Sequence, residues 1–206
     1  IKAYQNGIPL SLTFPFGNFP STISSNLNFY AGAYTWTGTL VGQYEGGLNE
    51  LSIFDYALSE SQVTTIYGDS TNGPGNPMAL PSSPIAYYPL GTSAWNGQYL
   101  AENNAIGDYV FDFENSNNHY ISGSASLPNS DYTISAWINL ETVTTESIVT
   151  WGEDATGKRR SLFIWNGGGG AYRLYSSTYG SNIGGSTTLL TGQWYHAAVT
   201  VSSAGV

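Results

Sequence analysis

Apolar and polar residues alternate strictly through Asp131–Leu140, DYTISAWINL, so Tyr132, Ile134, Ala136, Ile138 and Leu140 share one face of a strand. The same period of two runs through Asp108–Phe113, which puts Tyr109, Phe111 and Phe113 on one side and Val110 and Asp112 on the other. Further strands are expected at Leu27–Ala33, Ile85–Leu90, His119–Ser122, Ser147–Trp151, Ser161–Trp165, Ala171–Ser176 and within Leu189–Ser202. Ile1–Leu10 reads as two strands around Asn6-Gly7, because both turn positions accept positive φ. The pattern predicts an all-β chain.

One stretch breaks that rhythm. In Gly46–Gly68, a short apolar strand (Leu48, Leu51, Ile53, Phe54) gives way to a corner at Asp55–Leu58. Ser59 and Gln62 then form a capping box, and Val63, Ile66 and Tyr67 fall at helical spacing before Gly68. This predicts one short helix near 59–67. Residues 68–84 hold prolines and turn glycines with no periodic pattern, and read as a moderately stiff linker. Ser11–Asn26 and Gly91–Gly107 read as loops.

Composition narrows the function. Only 9% of the 206 residues are charged, whereas 15% are aromatic, which suits hydroxyl-rich sheet faces over a packed core. The net charge is −9, and four of the five basic residues (Lys158, Arg159, Arg160, Arg173) lie close in sequence. There is no broad basic face, so nucleic acid is not an expected partner. The carboxylate surplus fits a divalent cation or solubility. Without cysteine no disulfide supports the fold, and no apolar run approaches a membrane span. No signal peptide is visible and the first residue is Ile, so a processed product, a fragment or a window from a longer chain is expected.

Several phrases resemble laminin-G-like domains of the concanavalin A-like lectin/glucanase superfamily. Gly47-Leu48-Asn49-Glu50-Leu51 followed by Ala57-Leu58-Ser59 is similar to that family's C-terminal signature, with Asn49 where Asp is usual. Thr133–Ile138, TISAWI, matches its core strand, Gly192–His196 its Gly-x-Trp-His strand, and Ile85–Leu90 its opening strand. Tyr4-x-Asn6-Gly7 resembles a strand from the middle of the domain. The resemblance implies an antiparallel jelly-roll sandwich, in rotated order. Residues 1–67 would be the C-terminal half and 85–206 the N-terminal half, from the same or a neighbouring copy. A tandem repeat array is the favoured origin, ahead of a circular permutant or a strand-exchanged polymer.

The resemblance extends to domains of marine phage structural proteins and bacterial surface proteins. It implies a non-enzymatic structural or adhesive module of an extracellular, cell-surface or virion fibre, packed head to tail against copies of itself. A lectin-like binder of cell-surface glycans is the alternative, and a degenerate glycoside hydrolase ranks third. For the hydrolase, Asp112 and Glu114 share a strand face, but Val110 stands where a glucanase-type Glu-x-Asp-x-Glu would begin. By resemblance, a structural Ca²⁺ would be held by Asp112, Asn49 and Glu50. Glycan stacking is expected from aromatic rings in loops, namely Trp36, Trp95, Tyr34 and Tyr99. Trp137 and Trp194 are read as packing residues, and His196 as a packed strand histidine.

Overall fold

The computed structural model describes residues 1–16, 29–68, 74–89, 100–103, 108–123, 128, 130–152, 155–168, 170–178 and 180–202. Its first strands are β1 (Lys2–Gln5), β2 (Ile8–Pro9), β3 (Leu12–Phe16), β4 (Phe29–Ala31), β5 (Tyr34–Trp36), β6 (Thr39–Val41) and β7 (Gly46–Phe54). Helix α1 (Glu60–Tyr67) follows, then β8 (Ala86–Tyr88), β9 (Leu100–Asn103), β10 (Asp108–Phe113) and β11 (Ile121–Gly123). The chain continues through β12 (Tyr132–Leu140), β13 (Glu146–Gly152), β14 (Arg159–Trp165), β15 (Arg173–Ser177), β16 (Asn182–Gly185) and β17 (Trp194–Val201).

Two antiparallel sheets carry the fold. One runs β2-β1-β17-β12-β7-β10-β9, with β8 also on β7; the other runs β11-β4-β13-β14-β15-β16-β3. The alternating residues of β12 all enter the main core, against Val149, Trp151, Leu162, Ile164 and Leu174 of the second sheet. Fully burying one such aliphatic side chain contributes about 1.5–3 kcal/mol. Both ends of the sequence share the first sheet: Tyr4 of β1 pairs with Ala198 of β17, and β7 lies between β12 and β10. Strands from both halves of the sequence therefore stand side by side in each sheet.

Strand β7 is longer than its apolar pattern suggests, and it carries a bulge. Ser52 pairs with Ser135 and Asn49 with Trp137, so Glu50 and Leu51 together oppose Ala136. Glu50 takes a positive φ of 51° there. The extra residue lets Leu48 and Leu51, three apart, both face the core, where a regular strand would turn them to opposite sides.

Helix α1 forms as its capping residues predict. Ser59 Oγ accepts the Gln62 N–H, and the Gln62 side chain accepts the Ser59 N–H. Val63 and Ile66 pack on Tyr4, Phe54, Leu58 and Ala198, a second core on the outside of the first sheet. Three stretches that read as linker or loop carry more structure than their sequence suggests. The described part of the linker is docked: Leu80 joins this second core, the Gly75 N–H donates to the Ile66 carbonyl, and the Tyr56 hydroxyl donates to the Ser82 carbonyl. The first loop contains β3, whose Pro15 is tolerated because the strand lies at a sheet edge. The second contains β9, which pairs with β10.

Candidate functional site

Phe111 and Phe113 face the core, so Asp112 between them points out of the sheet. Its cross-strand partner is Gly47, which pairs in turn with Asn139, whose partner is Trp194. These four residues form one row across β10, β7, β12 and β17. Gly47 leaves a gap in it. Trp194 reaches into that gap, with ring atoms 2.9 and 3.2 Å from where a Cβ on Gly47 would stand.

An acidic cluster occupies the Asp112 end of the row. Carboxylate oxygens of Asp112, Glu114 and Glu141 lie within 4.8 Å of one another; the first two residues are half-buried and the third is exposed. Partial burial raises the Glu141 carboxyl above the usual range, and the negative charges of Asp112, Glu114 and Glu45 push it further. All three of these neighbouring charges are negative. Glu146 lies behind, almost fully buried. Its burial raises its carboxyl, opposed by hydrogen bonds from the Thr144 and Thr142 hydroxyls and the Glu45 N–H. The Tyr44 hydroxyl donates to the Asn139 and Gly47 carbonyls and ties β7 to β12 beneath the cluster. Burial and the carboxylates nearby, Glu146 first among them, push that phenol up.

Such a donor set suits a hard divalent cation. All three residues offer oxygen, none offers nitrogen or sulfur, and their mutual repulsion leaves the group short of positive charge. A shallow hollow of about 180 Å3, lined in part by Asp112, Asn118, His119 and Tyr120, opens beside the cluster.

The residues that the family resemblance implies for Ca²⁺ fall in two places. Asp112 lies in the acidic cluster with Glu114 and Glu141, while Asn49 and Glu50 stand at the bulge of β7. Asn49 is buried, and its Oδ1 accepts the Glu50 N–H at 2.9 Å, which secures the bulge. The Glu50 carboxylate accepts the Tyr87 hydroxyl, and burial together with that contact drives the Tyr87 phenol upward. Glu141 escaped the sequence reading because it lies just beyond a strand and belongs to no motif; the pairing of β10, β7 and β12 brings it in.

Among the expected stacking rings, Trp36 is 44% exposed on the β5–β6 hairpin. Tyr34 on the same hairpin is less available. The Arg159 guanidinium sits 4.7 Å from its ring centre, and the ring lies against Gly42. Trp95 and Tyr99 lie outside the described residues. Trp137 packs as expected, stacked on Tyr67 at 5.4 Å and beside His196 at 5.7 Å. His196 Nε2 meets Ser135 Oγ at 2.7 Å, and burial lowers its imidazole to about 3.

Residues 113–206 match the family model for the laminin-G-like part of the concanavalin A-like lectin/glucanases superfamily. The match takes in Glu114, Glu141 and Trp194. No curated protein and no solved structure matched the chain.

Proposed function

We propose, on the premise that residues 113–206 belong to the laminin-G-like group of the concanavalin A-like superfamily, that this chain is a non-catalytic, cation-stiffened sandwich. It serves as a structural or adhesive module of an extracellular, cell-surface or virion fibre. Residues 1–67 act as the C-terminal half of the sandwich and 85–206 as the N-terminal half, and copies pack head to tail. The pairing of β1 with β17 supports the joined halves. The short outer strands support association through faces and not edges: β2 has two residues, β11 three, β9 four and β3 five.

The observation that carries the reading is the convergence of Asp112, Glu114 and Glu141. A retaining glycosidase pair stands about 5–5.5 Å apart across a seat for the sugar ring. Here three carboxylates bring oxygens within 4.8 Å of one another, a grouping that a single ion can span. Calcium held there would bridge the ends of β10 and β12 and lock the start of β7 between them, stiffening one end of the module.

Two measurements test this together. Calorimetric titration of the chelator-treated chain with CaCl2 is expected to give one site, and sedimentation velocity in calcium to show association that grows with concentration. A chain that takes up no calcium and stays monomeric throughout would overturn the proposal. One feature favours the lectin-like alternative as a second reading: the half-buried indole of Trp194 beside the acidic cluster.

A further inference from the structure

The chain holds four Asn-Gly pairs, at 6–7, 72–73, 96–97 and 166–167; the second and third lie outside the described residues. In such a pair the backbone nitrogen of the glycine can attack the side-chain amide carbon of the asparagine, because no Cβ on the glycine stands in the way. How the asparagine is held decides the rate, and the first and fourth pairs are held in opposite ways.

Asn6 is locked. Its Oδ1 accepts the buried His196 N–H at 2.9 Å, and its own N–H donates to the His196 carbonyl at 2.8 Å. Gly7 is buried under Tyr67, with ring atoms 3.0 and 3.3 Å from where a Cβ would stand. Turning the Asn6 amide towards Gly7 strips the His196 N–H of its acceptor, which slows the attack by about tenfold or more.

Asn166 is poised. It follows β14 and is half-buried, and Gly167 and Gly168 after it are exposed. Its Oδ1 accepts the Gly168 N–H at 3.0 Å, an Asx turn. Attack by the Gly167 nitrogen develops negative charge on that same Oδ1, where the donor already stands. Both glycines have positive φ, 59° and 77°. A Cβ on Gly167 would come within 2.6 Å of the Tyr175 hydroxyl oxygen, whereas nothing lies within 4 Å of one on Gly168. The turn therefore needs glycine at its centre and has room beside it for a ring to close.

We propose that Asn166 is a site of spontaneous self-modification, at which the 166–168 turn converts the side-chain amide to a carboxylate. The Gly167 nitrogen gives its proton to solvent and bonds to Asn166 Cγ; the Cγ–Nδ2 bond breaks, and ammonia leaves with a proton from solvent. Water then opens the five-membered imide at either carbonyl, leaving an aspartate at position 166 or its isoaspartyl isomer. Nothing is oxidised or reduced, and water is the only co-reactant. The product adds a negative charge next to Trp165, whose cross-strand partner is Arg173. Neither the cation nor self-association is required.

The test incubates the full chain in mildly alkaline buffer and follows it by peptide mapping with mass spectrometry. Trypsin releases residues 161–173, in which Asn166 is the only asparagine, and chymotrypsin releases residues 5–10 with Asn6. The mass gain of NH exchanged for O, split between two chromatographic isomers, should build up at Asn166 at least about ten times faster than at Asn6. In guanidinium chloride the two pairs should react at similar rates, because Asn6 is released while Asn166 gains nothing comparable. Asn166→Gln, which cannot close a five-membered ring at the same nitrogen, should remove the acidic species that ion exchange resolves in the aged parent. The proposal is overturned if Asn166 keeps its amide in the folded chain, or converts no faster than Asn6. It is equally overturned if Asn166 reacts about tenfold faster once the chain is unfolded, which would mean that the fold protects it.

Discussion

Replacing Glu141 by Gln should change the sign of its effect on stability when calcium is added. In chelator, Glu141 faces Asp112 and Glu114 with oxygens within 4.8 Å. Two unit charges at that distance repel by about 1 kcal/mol in a water-like medium and about 3.5 kcal/mol at an effective dielectric of 20. Glu141 is exposed, so the lower figure governs each of its two pairs, and salt reduces it further. E141Q should therefore gain about 1–2 kcal/mol at neutral pH and low ionic strength, a rise of a few degrees in Tm for a chain of this size. In calcium at a hundred times Kd, the parent gains about 2.7 kcal/mol by mass action. E141Q has lost a charged ligand and should gain little of that.

The pH dependence provides a second check. The folded carboxyl of Glu141 is raised above its unfolded value, so the native state binds the proton more tightly. In chelator, the stability of the parent should fall as pH rises from the ordinary carboxylate range through the raised value. The advantage of E141Q should appear over that same window and vanish below it. Urea unfolding with and without EDTA, at several pH values, measures all of this. The reasoning fails if E141Q is no more stable than the parent in EDTA at neutral pH, or if calcium raises both equally.

Other outcomes follow from the packing. Ile134→Ala empties a fully buried site in the main core and should cost about 2–5 kcal/mol, seen as a lower urea midpoint with an unchanged slope. Ser59→Ala removes the capping box of α1 and should cost about 1 kcal/mol in the same assay. Burial lowers the His196 imidazole to about 3, so its ring proton signals should stay flat as pH falls from about 8 to 5. Because the unfolded histidine takes up its proton near the ordinary value, the contribution of His196 to stability is complete above that value and lost progressively as pH drops towards 3. A His196 titration near neutrality would contradict its burial.

Much of the fold could be read from short-range rules. The alternation of β12, the Asn6-Gly7 hairpin and the Ser59 cap each depend on residues within a few positions of one another. What escaped depends on partners far away. Pro15 argues against a strand until β3 is found at an edge, and Leu80 looks like part of a linker until the helix it covers is in place. The same holds for the acidic cluster: Asp112 was visible, but Glu141 joins it only through the registers of three strands.

Asn49 and Glu50 hold a backbone feature at the place where the family resemblance implies cation ligands. The family resemblance makes them ligands together with Asp112, and in the structure they hold the bulge that keeps Leu48 and Leu51 on the same side. Glu50→Gly separates the two roles. Glycine accepts the positive φ that costs an L-residue about 1–2 kcal/mol, but it removes the acceptor for the Tyr87 hydroxyl, a loss of similar size. Net stability should stay within about 1 kcal/mol of the parent. If Asp112, Glu114 and Glu141 hold the ion, calcium should stabilise E50G as much as the parent, while E141Q responds weakly. Loss of the calcium response in E50G would return Glu50 to the ligand set and undo the assignment made from the register.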